Sequence, residues 1–136
     1  MTKRFTLGKK ERLKSRKLID EIFSKGQRLS VFPYRVFYLY HVNRDQKAVL
    51  QFGAGAGTRN FKKAVDRNRI KRLTREAWRL QKNILAEKLA ARHFAMTVFF
   101  IYTGKELPAF DLVKEKTALI IEKLSVIADE NHTSHT

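Results

Sequence analysis

The segment at residues 62–79 joins a cationic surface to an apolar stripe, and this combination limits what the chain can fold into. It contains eight Lys and Arg residues but only two acids. Residues three or four apart share one side of a helix, and the apolar ones here are Ile70, Leu73, Ala77, Leu80 and Ile84. The opposite side carries Asn68, Lys71, Arg72, Arg75 and Arg79. One face must therefore pack on a core while the other stays accessible.

The accessible face of this helix predicts a polyanionic partner. Its cations succeed one another at four-residue spacing, at Arg67, Lys71, Arg75 and Arg79. Like charges so placed destabilise a helix by roughly 0.2–0.5 kcal/mol per pair, whereas a solvated face normally alternates both signs. Phosphates along a nucleic-acid backbone are the commonest compensation, so we expect nucleic-acid binding.

The charge of the whole chain supports this expectation. Twenty-nine Lys and Arg residues against 13 acids give a net charge of +16 over 136 residues. Residues 1–28 hold ten bases and three acids, whereas residues 105–136 hold four bases and six acids. We therefore expect the N-terminal segment and the central helix to form the nucleic-acid footprint.

The composition predicts one domain and is compatible with a reducing compartment. Hydrophobic residues make up 43% of the chain, which is enough for a core. The absence of cysteine excludes disulfides and zinc ribbons. The longest apolar run, Phe94–Tyr102, is shorter than the ~20 residues of a membrane helix, and residues 1–17 lack the apolar segment of a signal peptide. We expect a cytoplasmic protein that does not enter a membrane.

The chain divides into three segments: a basic arm at residues 1–14, a single domain at 15–128 and a flexible polar tail at 129–136. Three apolar residues of the arm could tether it to the domain: Phe5, Leu7 and Leu13. Ser15 is typical of an N-cap, and apolar pairs at four-residue spacing predict a helix at Arg16–Lys25 that packs on a sheet. Gly26 predicts a left-handed end to this helix.

Strands are predicted next. A short edge strand at residues 28–32 would end at Pro33, and Tyr34–Val42 is dense in aromatic and β-branched residues. A turn at 43–46 followed by a strand at 47–54 would complete a hairpin.

The sequence GAGAG at residues 53–57 is a weak signal for phosphate binding. It lacks the Gly-Lys-Ser/Thr ending of a nucleotide-binding loop, and glycines that merely close a turn explain it equally well.

The second half predicts a long helix at residues 61–90, a buried strand at Phe94–Tyr102 and a final helix at 111–128. The final helix would bury Leu112, Ile120, Leu124 and Ile127 or close neighbours. The long helix connects the strand at 47–54 to the buried strand. The predicted fold is α+β, a two-layer α/β sandwich.

The chain offers no self-contained catalytic site. It has no cysteine, and its four histidines, at positions 41, 93, 132 and 135, are scattered among strand, helix end and tail. Its acids lie alone or beside bases, so a two-metal nuclease site is not expected. The tail histidines are better read as solvated than as metal ligands. We therefore expect this chain to bind rather than to cut, with no catalytic residue and no small-molecule substrate.

The sequence DRNRIKRLTREAW at residues 66–78 resembles the bacterial ribonuclease P protein subunit. The hallmark of that family is an Arg-Asn-Arg core followed by further bases, here Arg67, Asn68, Arg69, Lys71, Arg72 and Arg75. The resemblance extends over about residues 10–128 in the same order of elements, α-β-β-β-α-β-α. It also implies a likeness to the second domain of a small-subunit ribosomal protein, with a left-handed β-α-β crossover.

The resemblance implies a protein that binds a catalytic RNA, the two together removing the 5′ leader from precursor tRNA. The chemistry would use Mg²⁺ held mainly by the RNA. The implied contacts to the catalytic RNA are Arg67, Asn68, Arg69, Lys71, Arg72, Arg75 and Arg79. The implied contacts to the leader are Ile19, Phe23, Arg35, Phe37, Arg59 and Asn60. Asn60 is a departure, because a leader-facing lysine is common there, and Phe23 and Phe37 can also be read as core residues.

Two other classes fit part of the pattern. A ribosomal protein or RNA chaperone would share the charge and the sandwich fold, but not the clustered RNRxKRxxR spacing. A DNA-binding protein could read bases through Asn and Arg in a major groove, but no helix-turn-helix partner precedes residue 61.

Overall fold

The computed structural model describes residues 12–13, 15–42 and 49–134 and confirms the α+β class. The elements are α1 (Arg16–Lys25), β1 (Gln27–Val31), β2 (Tyr34–Val42), β3 (Leu50–Ala56), α2 (Ala64–Gln81), α3 (Asn83–Ala91), β4 (Phe94–Tyr102) and α4 (Phe110–Ser134). Their order follows the prediction, except that the long central helix is divided in two.

The four strands form one sheet in the order β1-β2-β4-β3. β4 is antiparallel to β2 and parallel to β3, with Phe37 opposite Phe99 and Gly53 beside Phe99 in the two registers. The predicted hairpin between β2 and β3 is therefore wrong. β4 is largely buried along its length and so takes a central place, while the hairpin partner of β2 is β1. α2 and α3 connect β3 to β4 as predicted, and the left-handed crossover stays a prediction.

The main core lies between one face of the sheet and α2, α3 and α4. At its centre Phe52 stacks on Trp78, with ring centroids 4.4 Å apart. Ile70 and Ala77 are buried as the apolar spacing predicted, but Trp78 is also fully buried. Ile84 is 69% exposed, because α2 ends at Gln81 and a new helix begins at Asn83.

A smaller cluster lies on the other face of the sheet, beneath α1. Leu13, Ile22 and Phe37 are buried there. Ser15 caps α1 as predicted, since its Oγ accepts a hydrogen bond from the Leu18 amide at 3.3 Å. The helix thus adds a partial third layer and leaves part of this face accessible.

Gly26 does not adopt the predicted left-handed conformation, since its φ is −73°. A Cβ at this position would instead lie 2.4 Å from the Ile22 carbonyl oxygen and 3.0 Å from that of Tyr38. Glycine is needed here because the last turn of α1 and, next to it, strand β2 both leave no room for a Cβ.

The glycines at 53 and 55 belong to β3 rather than to a turn or a phosphate-binding loop. A Cβ on Gly53 would lie 2.6 Å from the ring of Phe99. The strand predicted to stop at residue 54 therefore continues to Ala56. Because Gly53 and Gly55 have no side chains, the Phe99 ring can lie over this strand.

The ends of the domain differ from the prediction in detail. Leu13, one of the three tethers predicted in the arm, is attached to the sheet, because its amide donates to the Phe52 carbonyl at 2.9 Å. α4 continues to Ser134, so its predicted end at 128 is wrong and the segment predicted as a tail from 129 begins within a helix. Asp129 holds this extension through Lys88 and Arg92, each 2.8 Å away.

Other predictions fall on α4 or outside the described residues. Ile120 and Leu124 are fully buried and Ile127 is partly buried as expected, but Leu112 is 37% exposed and Val113 is buried in its place. Outside the described residues or side chains lie Phe5, Leu7, the turn at 43–46, His132 and His135. No helix in the described ranges is long and apolar enough to cross a membrane.

Replacing Gly26 with alanine should destabilise the domain. The added methyl group would overlap two backbone carbonyls, and overpacking of this kind costs about 1–3 kcal/mol. Urea unfolding followed by circular dichroism would measure the change. Gly57→Ala is the matched control, because the nearest atom to its new Cβ is 4.0 Å away. An unchanged midpoint for Gly26→Ala would contradict the close approach of α1.

Replacing Tyr34 with phenylalanine should change how stability depends on pH. The Tyr34 hydroxyl hydrogen-bonds to Thr74 Oγ1 at 2.7 Å, so at pH 8 we expect a loss of about 0.5–1.5 kcal/mol. Burial raises the pKa of Tyr34 to about 12, against the opposing hydrogen bond with Thr74. The unfolded chain loses this proton near pH 10, so the stability that Tyr34 contributes falls as pH rises from about 10 to 12.

The variant should therefore lose less stability than the parent between pH 10 and 12, which urea titrations at several pH values would measure. Equal losses in both proteins would contradict the role assigned to Tyr34. Burial also raises the pKa values of Tyr38 and Tyr102, so the variant should retain some decline.

Candidate nucleic-acid interface

The exposed face of α2 carries most of the predicted RNA-contact residues. Asn68, Arg69, Arg72 and Arg75 are exposed and Lys71 is half-buried. Their neighbours on the helix, Ile70, Thr74, Ala77 and Trp78, form its buried side. The structure thus brings five of the seven predicted residues onto one accessible basic face, called here the α2 ridge.

Arg67 and Arg79, at the two ends of the ridge, also make contacts within the protein. Arg67 Nη1 donates to the carbonyls of Phe61 and Lys62 at 2.8 and 2.9 Å, which fixes the segment before α2. Arg79 Nε donates to Glu76 Oε2 at 3.0 Å, and hydrogen bonding from Arg79 lowers the pKa of the Glu76 carboxyl. The like-charge row predicted from the sequence is therefore balanced in part at its C-terminal end.

Arg12 joins the α2 ridge from the basic arm. It lines a groove of about 460 Å³, the other lining residues being Asn68, Arg72, Arg75, Glu76 and Arg79. Although the Arg75 side chain as a whole is exposed, its partial desolvation lowers its pKa, and the nearby charge of Arg12 lowers this pKa further. Sequence reasoning placed residues 1–28 in the footprint but did not select Arg12, because its position depends on the long-range contact of residues 12–13 with β3.

The cleft between α1 and the sheet contains three of the predicted leader residues. The Phe23 ring meets Phe37 edge to face, with centroids 5.0 Å apart, and Ile19 packs on the same cluster. Arg35 is exposed and shares the strand face of Phe37. The structure therefore brings Ile19, Phe23 and Phe37 together, with Arg35 on the same side of the sheet.

Phe37 lies deeper in this cleft than the sequence suggested. It is 8% exposed, and the guanidinium carbon of Arg28 lies 5.4 Å from its ring centroid. Phe23 and Phe99 remain half-buried, with centroids 5.4 Å apart. Phe99 was missed because a fully apolar strand does not show which of its residues face away from the main core.

Arg59 and Asn60 lie in the loop between β3 and α2 and are both exposed. The Asn60 amide donates to the carbonyls of Thr103 and Gly104, at 3.2 and 3.4 Å. The Asn60 side chain thus fastens the loop before α2 to the loop after β4. A leader contact at Arg59 or Asn60 stays a prediction.

A second groove connects the cleft with the α2 ridge. It has a volume of about 510 Å³ and is bounded by Ile19 of α1, Gly53 of β3, Phe99 of β4, and Lys71 and Arg75 of α2. The two surfaces that the sequence assigned to different RNA ligands are therefore continuous. Within the described ranges, no three His, Cys, Asp or Glu residues are grouped so as to hold a metal ion.

Comparison with known proteins identifies the family. The sequence profile of the Ribonuclease P family matches residues 7–124. The ribonuclease P protein component of Porphyromonas gingivalis is 37% identical over 111 residues, which are 81% of this chain and 80% of that protein. The protein of the same name from Chlorobium phaeobacteroides is 27% identical over 128 residues, or 88% of each chain.

A solved structure shows the same fold. The Staphylococcus aureus RNase P protein superposes with a TM-score of 0.62 at 16% sequence identity, and the match covers 84% of this chain and 94% of that one. The profile that spans residues 7–124 and the 37% identical relative show that the chain belongs to the ribonuclease P protein family.

Proposed function

We propose that the chain acts as the protein subunit of ribonuclease P by binding two RNAs on adjoining surfaces. The α2 ridge binds the catalytic RNA, and the α1 cleft binds the single-stranded 5′ leader of precursor tRNA. The observation that carries the proposal is the meeting of a basic helix face and an aromatic cleft along one groove. We propose that this processing of precursor tRNA takes place in the bacterial cytoplasm.

The α2 ridge is suited to a folded RNA. Arg69 and Arg72 are exposed cations on a helix anchored by Trp78, so their positions are fixed by the core. Contacts from Lys and Arg to phosphates release counterions and position an RNA without reading its sequence.

The α1 cleft is suited to an unpaired strand. Aromatic rings stack on any base, which would let one protein accept many leader sequences. Arg35 adds a cation on the same strand face for the leader backbone. Phe37, being almost covered, would act mainly by supporting Phe23.

Cleavage itself is assigned to the RNA partner. Mg²⁺ held mainly by that RNA would supply the activated water and stabilise the leaving oxygen. The part of this chain that the structure describes has no grouped set of three candidate ligands, so no metal site is assigned to it. The residues of this chain bind and orient the two RNAs.

Cleavage of precursor tRNA at low Mg²⁺ tests the proposal directly. The catalytic RNA of the source organism should cleave faster with this protein than without it, and the complex should bind leader-bearing tRNA more tightly than mature tRNA. Tight binding to arbitrary RNA without stimulation of cleavage would instead indicate a general RNA-binding protein.

Variants of the two surfaces should separate their ligands. Arg69→Ala with Arg72→Ala should weaken catalytic-RNA binding by roughly tenfold or more and lower the salt slope by about two, because each contact to phosphate contributes about one. Arg35→Ala should mainly reduce the preference for leader-bearing over mature tRNA. Filter binding at several salt concentrations measures the affinity for catalytic RNA, its salt slope, and the preference for leader-bearing over mature tRNA.

Lys123→Ala is the matched control, since Lys123 is an exposed cation on α4 that lines a groove with Leu29 of β1 and with no residue of α1 or α2. It should leave both affinities near those of the parent. Equal effects of the ridge and cleft variants on both ligands would refute the division of labour.

A further inference from the structure

A groove at one end of the sheet lies outside both surfaces assigned to RNA. It has a volume of about 680 Å³ and is formed by the turn between β1 and β2, the connection from β4 to α4, and the first two turns of α4. Three exposed apolar side chains line it, namely Phe32 at 77%, Leu107 at 43% and Leu112 at 37% exposure. Apolar residues that are exposed together, rather than singly, mark sites of interaction.

Hydrogen bonds between the two loops hold this groove in shape. The Thr103 amide and hydroxyl both donate to the Pro33 carbonyl, at 2.7 and 3.0 Å, and so join the β4–α4 connection to the β1–β2 turn. The Tyr102 hydroxyl donates to the Glu106 carbonyl at 2.6 Å. A ligand would therefore meet a site that is already formed, which lowers the entropic cost of binding.

The uncharged part of the lining favours an apolar ligand. Its two hydroxyl groups, those of Tyr102 and Thr103, already donate within the protein. The other uncharged lining residues are apolar or glycine. A polar group buried there without a partner would be unfavourable, so the ligand that fits best is a large apolar side chain.

The charged part of the lining has an excess of cations. Lys105 and Glu106 are exposed and Lys116 is half-buried. Among the residues that the structure describes, neither lysine lies within ion-pair distance of an acid. Carboxylates beside the apolar side chain would complement these lysines. By contrast, a groove around Ile84, which is 69% exposed, is lined by Glu122 and by no cation of the described residues.

Two other ligands fit the groove less well. An RNA strand would bring its phosphates to the Glu106 carboxylate and its base edges to a lining without free hydroxyl donors. A second copy of this chain would bring a net charge of +16 against another +16, which opposes association. An acidic segment of a different protein meets neither obstacle, and the positive field of the chain would speed its approach.

We propose that this groove binds a short segment of a protein partner in which two large apolar residues are flanked by carboxylates. The apolar pair lies against Phe32, Leu107 and Leu112, and the carboxylates pair with Lys105 and Lys116. This interaction goes beyond the proposed function in RNA processing and does not depend on it.

Binding of synthetic peptides to the full chain tests the proposal. Fluorescence anisotropy would compare the labelled peptide DEFLDE with DESSDE, which lacks the apolar pair, and with KKFLKK, which reverses the charge. DEFLDE should bind roughly tenfold more tightly than either, as expected when a central anchor or its charge complement is lost. No binding of DEFLDE, or equal binding of DEFLDE and DESSDE, would overturn the proposal, since the latter is a general attraction to a basic protein.

Variants locate the bound peptide. Phe32→Ser should weaken the binding of DEFLDE roughly tenfold, whereas Ile84→Ser, the matched control at a similarly exposed apolar residue, should leave it unchanged. Lys105→Glu should weaken the binding of DEFLDE and strengthen that of KKFLKK. Lys123→Glu alters the net charge of the chain equally and should do much less. Urea unfolding of each variant separates lost folding from lost binding.

The affinity of the same variants for catalytic RNA distinguishes a protein ligand from an RNA ligand. Phe32→Ser should bind catalytic RNA as the parent does, because the groove lies outside the α2 ridge. A loss of affinity for RNA in place of the loss for DEFLDE would assign the groove to RNA and overturn the proposal. Equal effects of Phe32→Ser and Ile84→Ser on DEFLDE would place the peptide elsewhere and would also overturn it.

Discussion

The rest of the structure depends on the burial of β4 on both of its faces. Val98 and Phe100 project into the main core with Trp78, while Phe99 and Ile101 project into the cluster beneath α1. Because a strand alternates its side chains, a continuous apolar run can satisfy both faces only from inside a sheet. This single constraint separates β2 from β3 and creates a second apolar surface for α1 to cover.

The second surface is only partly covered, and this is where the chain departs from a purely structural design. α1 has only ten residues. Its Ile22 is fully buried against the sheet, whereas its Ile19 and Phe23 are only half-buried. The accessible edge of this cluster lies next to the cationic face of α2, across the two glycines of β3. An apolar surface and a cationic surface thus adjoin, as the proposed binding of an RNA strand with its bases and phosphates would require.

Local patterns in the sequence predicted several elements to the residue. Arg16–Lys25, Tyr34–Val42 and Phe94–Tyr102 match, because caps, β-branched runs and apolar runs act over short distances. Strand pairing was missed, since sequence order favours neighbours whereas burial places β4 between β2 and β3. The end of α2 before Lys82 was also missed, because apolar residues continue at helical spacing past this point to Ile84.

The candidate site was predictable to a similar degree. The spacing of basic residues identified the α2 ridge, since helical periodicity decides which side chains share a face. Arg12 and Phe99 depend on contacts between distant segments, which no local pattern encodes. Arg67 had the expected charge, but its bonds to Phe61 and Lys62 can be seen only once the loop is folded.

The close fit at Gly26 governs how α1 can respond to a ligand. Its backbone nitrogen bonds to the Ile22 carbonyl at 2.8 Å, and no side chain separates this end of the helix from β2. Leu13, just before the opposite end of the helix, is buried and bonded to the Phe52 carbonyl at 2.9 Å, so α1 is fastened to the sheet near both of its ends. The width of the cleft is therefore set before any ligand arrives, and a ligand that fits it would not have to pay for ordering the helix.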